Sequence, residues 1–186
     1  MGDDDSWNWF LFWGGIFTMT RATTHLKNIK VNDEYGTPKN LFEIACMKYG
    51  IFPLIDICAS FTNHVLPNFI SKESNCFKHY INEDFFMNPP YSQIYKFMSY
   101  AYEQHRKFNV NALILTFAKV DTKWWHEFVE DYAEVHFIRG RIQFNDHTGN
   151  PTTFFDKKTQ KLKNGHAPYP SCWIIFRKKG DLTVNA

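Results

Sequence analysis

The sequence has few cysteines, and none of them occurs in a metal-binding or redox motif. The four cysteines are Cys46, Cys58, Cys76 and Cys172. They form no Cys-x-x-Cys pair and no combination with histidine at the spacing of a zinc site. We therefore predict a protein without a metal, whose thiols stay reduced in the cytoplasm of a bacterium, an archaeon or a virus-infected cell.

A hydrophobic run long enough to cross a membrane is also missing. The most aromatic stretch, residues 7–17, is interrupted by two glycines and is shorter than the roughly 20 apolar residues that span a bilayer. It also lacks the preceding positive charges of a signal peptide. We predict no membrane association and interpret residues 1–19 as a flexible or mis-assigned extension. The alternative is a membrane-interface anchor.

A strong charge of either sign is absent, since 21 Lys and Arg stand against 19 Asp and Glu, a net charge of +2. This balance neither favours nor excludes a nucleic-acid partner. The distribution is more informative, because four lysines fall between residues 157 and 163. Such a cluster faces either phosphates or solvent.

The length of 186 residues, with 44% hydrophobic residues, indicates one globular domain and leaves little room for a second. The sequence shows no internal repeats. We place the domain at residues 20–179, followed by a tail at 180–186. Within it, residues 145–170 are turn-rich, and we predict a long loop there that can contact DNA.

The most informative stretch is Phe85–Met87 followed by Asn88, Pro89, Pro90 and Tyr91. Three apolar residues predict a short buried strand, and the two prolines end it because they remove backbone donors and restrict φ. The result is a stiff loop at the carboxyl end of a strand, where open α/β sheets bind ligands. The simpler interpretation is a strand that stops at proline, with Ser92 as the N-cap of the next helix.

The loop contains the groups needed to hold a planar amine. The Asn88 side-chain oxygen and a carbonyl of Pro89 or Pro90 can accept hydrogen bonds from one –NH2 group. The Tyr91 ring can stack on the aromatic ring that carries the amine. Holding and aiming an amine in this way is catalysis by positioning and preorganised electrostatics.

Apolar segments on either side of this loop predict an α/β domain. We expect strands at 52–60, 85–87, 110–117, 134–138 and 171–177, and helices at 40–49 and 92–108. Residues 69–71 form either a short strand or an irregular loop. A strand, a helix and a second strand at 85–117 indicate a parallel pair. In the strand at 52–60, Asp56 is followed by the small residues Cys58 and Ala59 but by no Gly-x-Gly. Asp56 either binds a ligand or caps a turn.

Several segments, in this order, resemble the phage-type DNA adenine methyltransferase (Dam) family across residues 33–177. The segments are Tyr35–Pro38, Asp56–Asn63, Asn88–Tyr91, Asp121–Trp124 and Gly140–Phe144. The resemblance implies a compact Rossmann-like methyltransferase sheet that is mostly parallel, with an antiparallel edge hairpin and helices on both faces. It also implies methyl transfer from S-adenosylmethionine to the exocyclic amine of adenine in double-stranded DNA.

The resemblance also implies roles for individual residues. The catalytic set is Asn88, Pro89, Pro90 and Tyr91. The cofactor-binding set is Tyr35, Thr37, Pro38, Asp56, Cys58, Ala59, Asn63 and Asp84. The DNA-binding set is Lys119, Arg139, Arg141 and Phe144. Asp84 is equally consistent with a solvated turn residue, and Arg139 with a salt-bridged hairpin.

Other functions share parts of this pattern. An RNA base or a glutamine side chain of a protein is an alternative amine substrate, although such enzymes usually have a glycine-rich cofactor loop that is absent after Asp56. A non-catalytic nucleic-acid-binding relative and a partner subunit of a larger enzyme are further alternatives.

Overall fold

A computed structural model describes residue 33 and residues 35–180 of the chain. The predicted extension at residues 1–19 and the end of the predicted tail, residues 181–186, lie outside the described residues. None of the described helices combines the length and the apolar character needed to cross a bilayer.

The described chain alternates strands and helices, as the apolar pattern predicts. The helices are α1 (Lys39–Tyr49), α2 (Ile94–Phe108) and α3 (Lys123–Phe128). The strands are β1 (Ile55–Ala59), β2 (Phe69–Ser71), β3 (Phe85–Met87), β4 (Ala112–Phe117), β5 (Glu134–Phe137), β6 (Thr153–Asp156), β7 (Lys161–Asn164) and β8 (Ser171–Phe176). Helix α1 ends at Gly50, whose φ of 63° is a left-handed conformation that glycine adopts without steric cost.

Six strands form one sheet in the order β2-β1-β3-β4-β8-β5. The pairs β1–β2, β1–β3 and β3–β4 are parallel, and α2 is the crossover between β3 and β4. Strand β8 is antiparallel to both of its neighbours. The predicted fold class, a mostly parallel Rossmann-like sheet with an antiparallel end, is therefore confirmed.

The last strand of the chain does not form the edge of the sheet. Strand β8 lies between β4 and β5, and β5 forms the edge. Because β8 is antiparallel to both, β4 and β5 run in the same direction and are connected through α3. A crossover helix can join strands that are not neighbours, and β8 fills the space between them.

Helices cover both faces of the sheet. Alternate residues of β3 point to opposite sides, so Phe85 and Met87 pack with α2 and α3, whereas Phe86 packs with α1. Strands β4 and β8 are buried along their whole lengths for the same reason. This double cover explains why their sequences are continuous apolar runs without alternation.

The predicted long loop at residues 145–170 contains regular structure. Strands β6 and β7 form a separate two-stranded antiparallel sheet, which we call the ribbon. A further bridge pairs Asn145 with Pro151 at its base. Sequence analysis missed the ribbon because its strands are short and exposed, so they show no apolar alternation.

Candidate active site

Asn88 follows β3, and its side-chain amide is held by the segment that precedes α1. Its Nδ2 donates to the Tyr35 carbonyl oxygen at 2.7 Å and to Thr37 Oγ1 at 3.1 Å. An amide nitrogen has two protons, so both are used. Reversing the amide would place its oxygen against the Tyr35 carbonyl. The Asn88 side-chain oxygen is therefore fixed as an acceptor.

The two prolines continue this loop without regular structure. Pro90 is extended, with φ −61° and ψ 124°, and its carbonyl accepts the Gln93 N–H at 3.1 Å. A 3-10 turn at Tyr91–Gln93 then leads into α2. Ser92 lies within this turn and does not cap α2 as the simpler interpretation predicted. Its N–H and its hydroxyl both donate to the Asp33 carboxylate.

Tyr91 is locked by other aromatic rings. It stacks on Phe117 at the end of β4, with ring centroids 3.7 Å apart and an angle of 10° between the rings. The edge of Tyr35 approaches it at 5.7 Å, and the Tyr91 hydroxyl makes a long hydrogen bond of 3.4 Å to Asn88 Oδ1. Burial raises the pKa of the phenol well above its ordinary value, so Tyr91 is a neutral donor. Because Phe117 covers one face of the ring, a base can stack only on the other.

Asp56 lies inside β1, only 2% exposed, and holds the following loop through its carboxylate. Its two oxygens accept the backbone N–H groups of Cys58 and Val65, both at 3.2 Å. Burial raises the pKa of this carboxyl to about 6, although the two hydrogen bonds act in the opposite direction. Both oxygens are used within the protein, so the side chain shapes the loop after β1.

The other residues of the predicted cofactor set near β1 follow this loop. Ala59 is the buried last residue of β1, and the half-buried Cys58 has its pKa raised by burial. Asn63 closes a turn by accepting the Ser60 N–H at 2.6 Å through its side-chain oxygen. Pro38 is the residue immediately before α1.

Gly36 connects the segment before α1 with Asn63 and Asn145, and sequence analysis did not single it out. It exchanges two backbone hydrogen bonds with Asn145, of 2.8 and 2.9 Å. A Cβ atom at this position would lie 3.2 Å from the Cβ atoms of both Asn63 and Asn145. The absence of a side chain therefore lets Tyr35 and Thr37 reach Asn88. The only sequence signal was the position of this glycine between two residues already in the predicted site.

Asp84 does not join this cluster. It precedes β3, and its carboxylate accepts the Asn111 N–H and the Asn111 side-chain amide, both at 2.8 Å. This is the amino end of β3, whereas Asn88 follows the carboxyl end. We therefore leave Asp84 out of the candidate site.

Glu73 is a better-placed carboxylate that sequence analysis missed. It follows β2, whose Ser71 pairs with Ala59 of β1, so it lies at the carboxyl edge of the sheet. Glu73 is exposed, and a hydrogen bond from Ser71 lowers the pKa of its carboxyl. An acidic residue after the second strand is the position at which dinucleotide-binding sheets hold ribose hydroxyls. The distance from Asp56 to Glu73 along the sequence is close to the spacing of such acidic residues, and this was the signal that could have identified Glu73.

The family profile of DNA N-6-adenine-methyltransferase (Dam) matches residues 23–183 of this chain. The chain belongs to the Dam family. A DNA N-6-adenine-methyltransferase of Haemophilus phage HP1 is 31% identical over 161 residues, covering 82% of this chain and 89% of the phage protein. A protein of the same name from Escherichia phage T1 is 33% identical over 114 residues, covering 60% of this chain. The chain spans about half of that T1 relative, since the alignment covers 47% of its length.

The basic residues predicted to contact DNA in this Dam-family chain are accessible to different degrees. Arg139 and Arg141 are exposed, on either side of Gly140. Lys119 is half-buried, with Nζ 4.4 Å from the centroid of the Tyr169 ring. These placements are compatible with a polyanionic partner, and the DNA role of each residue stays a prediction.

Phe144 differs from the predicted DNA contact because its ring is fully buried. Its centroid lies 5.0 Å from that of Tyr35 and 6.3 Å from that of Phe117. It thus supports the aromatic cluster behind Tyr91 and is not accessible to a duplex. Residue spacing cannot distinguish these roles, because a single aromatic residue is compatible with both.

Across residue 33 and residues 35–180, no three His, Cys, Asp or Glu side chains are grouped as metal ligands. The four cysteines are free thiols. The candidate site thus consists of amide, carbonyl, carboxylate and aromatic groups at the carboxyl edge of the sheet.

Proposed function

We propose that this chain transfers a methyl group from S-adenosylmethionine to the exocyclic amine of adenine in DNA. The observation that carries the proposal is the orientation of the Asn88 amide, whose nitrogen is held by Tyr35 and Thr37. This leaves a fixed acceptor oxygen beside an aromatic ring. Family membership, together with the names of the HP1 and T1 relatives, supports adenine in DNA as the substrate.

The residues at the carboxyl edge fit the proposed cofactor. The small side chains of Cys58 and Ala59, at the end of β1, would let the cofactor approach the backbone closely. The Glu73 carboxylate, which follows β2, would accept hydrogen bonds from the ribose hydroxyls. Asp56 would hold the loop between them. S-adenosylmethionine would supply its methyl group from a sulfonium, which becomes a neutral thioether as the new carbon–nitrogen bond forms.

Asn88 and Pro89 would orient the adenine amine. Asn88 Oδ1 accepts one N–H and the Pro89 carbonyl accepts the other, since the Pro90 carbonyl already accepts Gln93. Two fixed acceptors draw electron density towards the nitrogen and aim its lone pair. They also stabilise the positive charge that the nitrogen carries until it releases a proton to water.

Tyr91 would hold the adenine ring after the base leaves the duplex. Enzymes that modify a base inside duplex DNA extrude it into a pocket and stack it on aromatic side chains. Phe117 supports one face of Tyr91, so the other face receives the base in a fixed position. Tyr35 and Phe144 stabilise this arrangement from the side.

The test is transfer of a tritiated methyl group from S-adenosylmethionine to unmethylated duplex DNA. We expect label in N6-methyladenine after hydrolysis, and a loss of roughly 100- to 1,000-fold with Asn88→Ala, the range found when one transition-state hydrogen bond is removed. Asn40→Ala, an exposed asparagine on α1, is the control and should retain full activity. Cofactor affinity is measured in parallel to verify folding.

Other outcomes would identify the alternatives. Label in RNA or protein but not in DNA would replace the substrate and keep the reaction. Cofactor binding without transfer to any of the three would indicate that a partner subunit is required. Absence of both cofactor binding and transfer, in a folded protein, would favour the non-catalytic nucleic-acid-binding relative.

A further inference from the structure

The ribbon has an unusual surface, because both of its strands leave large side chains exposed. Strands β6 and β7 are exposed along almost their whole lengths. Phe154 is 51% exposed, Phe155 55% and Leu162 72%. Large apolar side chains that are exposed close to one another, as Phe155 and Leu162 are, indicate an interaction surface.

The register of the ribbon separates its residues into two faces. Cross-strand partners share a face, and successive residues alternate. The apolar face consists of Thr153, Phe155, Leu162 and Asn164. The charged face consists of Phe154, Asp156, Lys161 and Lys163.

The ribbon carries a net positive charge. Residues 151–165 contain four lysines and one acidic residue, Asp156. Asp156 is already engaged by Lys163, by the Lys158 N–H and by the Thr159 hydroxyl. Within the described part of the chain, Lys157, Lys158 and Lys161 form no ion pair. This charge is complementary to a polyanion.

The base of the ribbon is attached to the candidate active site. Asn145, at the start of the insertion, is bonded to Gly36 between Tyr35 and Thr37. Thr152 fixes the two strands, because its hydroxyl donates to the Phe144 carbonyl or the Gly165 carbonyl, at 2.9 and 2.7 Å. The ribbon thus starts from the edge of the sheet at which Asn88 lies.

We propose that the ribbon enters the major groove of duplex DNA beside the target adenine, with its apolar face towards the bases. This inference rests on the proposed function. A two-stranded ribbon fits the width of the major groove. Asp156 lies on the opposite face, where its carboxylate is directed away from the DNA. Phe155 and Leu162 then contact thymine methyl groups, while Thr153 and Asn164 present hydrogen-bonding groups to base edges. Lys157 and Lys158, in the turn, contact phosphates.

The first experiment compares two aromatic residues on opposite faces of the ribbon. The full-length chain and its Phe155→Ala, Leu162→Ala and Phe154→Ala variants are titrated into a labelled, unmethylated duplex of mixed sequence. We expect roughly tenfold weaker binding for Phe155→Ala and Leu162→Ala, since burying one large apolar side chain against the DNA contributes a free energy of this order. Phe154→Ala is the matched control and should stay within twofold of wild type. Cofactor affinity should be unchanged in all variants.

The second experiment measures the salt dependence of binding. Replacing both Lys157 and Lys158 by glutamine should reduce the slope of log affinity against log salt by roughly 0.9 for each phosphate that the protein no longer neutralises. Lys48→Gln, at the far end of α1, is the control and should leave the slope unchanged. The major-groove ligand methyl green should compete with the wild-type chain, and the minor-groove ligand netropsin should not.

The outcomes separate this inference from the proposed function. If the wild type methylates DNA but Phe155→Ala and Phe154→Ala bind the duplex equally well, the apolar face of the ribbon does not contact the bases. The proposed function then stands. If the wild type binds cofactor but neither binds nor methylates DNA, both proposals fall. Competition by netropsin alone would overturn the major groove as the site. If Phe155→Ala dissociates a dimer and leaves DNA affinity unchanged, the apolar face binds a second copy of this chain instead.

Discussion

The Asn88–Tyr91 loop, for which we propose a catalytic role, and the ribbon start from the same edge of the sheet, but they are stabilised in opposite ways. Asn88 is held by two hydrogen bonds and Tyr91 by a stacked ring. The ribbon is fixed at its base by Thr152 and Asn145, and its apolar residues are exposed. The side chains of the loop find their partners within the fold, whereas the ribbon leaves large apolar side chains exposed, and we propose that DNA contacts them.

This difference fits the two tasks that we propose. A catalytic group must be in position before the substrate arrives, because reorganisation during the reaction costs free energy. A DNA-reading element must remain accessible, and part of its order can come from the complex. The backbone hydrogen bonds between Gly36 and Asn145 connect the two regions.

The most extensive effect is expected from replacing Gly36, because this change should alter stability, cofactor affinity and methyl transfer together. Gly36→Ala places a Cβ 3.2 Å from Asn63 and Asn145, so we expect a loss of about 1–3 kcal/mol in the free energy of unfolding. We also expect at least a tenfold loss of cofactor affinity and of methyl transfer, because Tyr35 and Thr37 move away from Asn88. Calorimetry and the tritium assay measure these changes.

Gly165→Ala is the comparison variant. Its Cβ would lie 3.1 Å from Thr152 Oγ1 at the base of the ribbon. We expect weaker DNA binding with unchanged cofactor affinity. Equal loss of both affinities in the two glycine variants would contradict the separate roles of the regions.

An intermediate effect is expected at Tyr91. Tyr91→Ala removes the ring that stacks on Phe117, and we expect roughly 10- to 100-fold slower transfer, since base–aromatic stacking contributes about 1–3 kcal/mol. Tyr91→Phe keeps the ring and removes only the 3.4 Å hydrogen bond to Asn88, so transfer should fall less than about fivefold. Single-turnover rates measure both. Similar losses in the two variants would assign the main role to the hydroxyl.

The smallest expected effect is a pH dependence that comes from Asp56. The pKa of its carboxyl is raised from 3.8 to about 6 in the folded protein, so the folded state binds more protons than the unfolded state between these values. The contribution of this group to stability therefore falls as pH rises from about 4 to about 6. Cofactor affinity should change in the opposite direction, dropping a few-fold below about pH 6, because a protonated carboxyl holds the Cys58–Val65 loop less well.

Asp56→Asn provides the control for this prediction. The amide does not titrate, so the difference in unfolding free energy between wild type and variant should itself depend on pH across this range. Titration calorimetry from pH 5 to pH 8 measures cofactor affinity for both proteins. A wild-type profile that is parallel to that of Asp56→Asn would show that Asp56 does not titrate here.

Patterns of apolar residues predicted the strands and helices well. Strands β3, β4 and β8 are continuous apolar runs because helices cover both faces of the sheet, and the proline pair after Met87 ended β3 where expected. The ribbon escaped notice because its exposed strands have no apolar period. The position of β8 also escaped notice, since sequence order does not determine strand order in a sheet.

The site residues likewise divide into those that the sequence identified correctly and those that it misplaced. Asn88 and Tyr91 stood out because their local motif is chemically distinctive. The family resemblance assigned roles to Phe144 and Asp84, but the fold buries the first and puts the second at the amino end of β3.

The α/β class, the stiff proline loop and the family follow from the sequence alone, because they depend on local backbone restrictions and on the order of motifs. The donors that hold Asn88, the ring that supports Tyr91 and the apolar face of the ribbon emerge only when the chain is folded. These contacts join residues that are far apart along the chain, such as Tyr35 and Asn88. Their pairing depends on how the sheet and its covering segments pack, which no local pattern encodes.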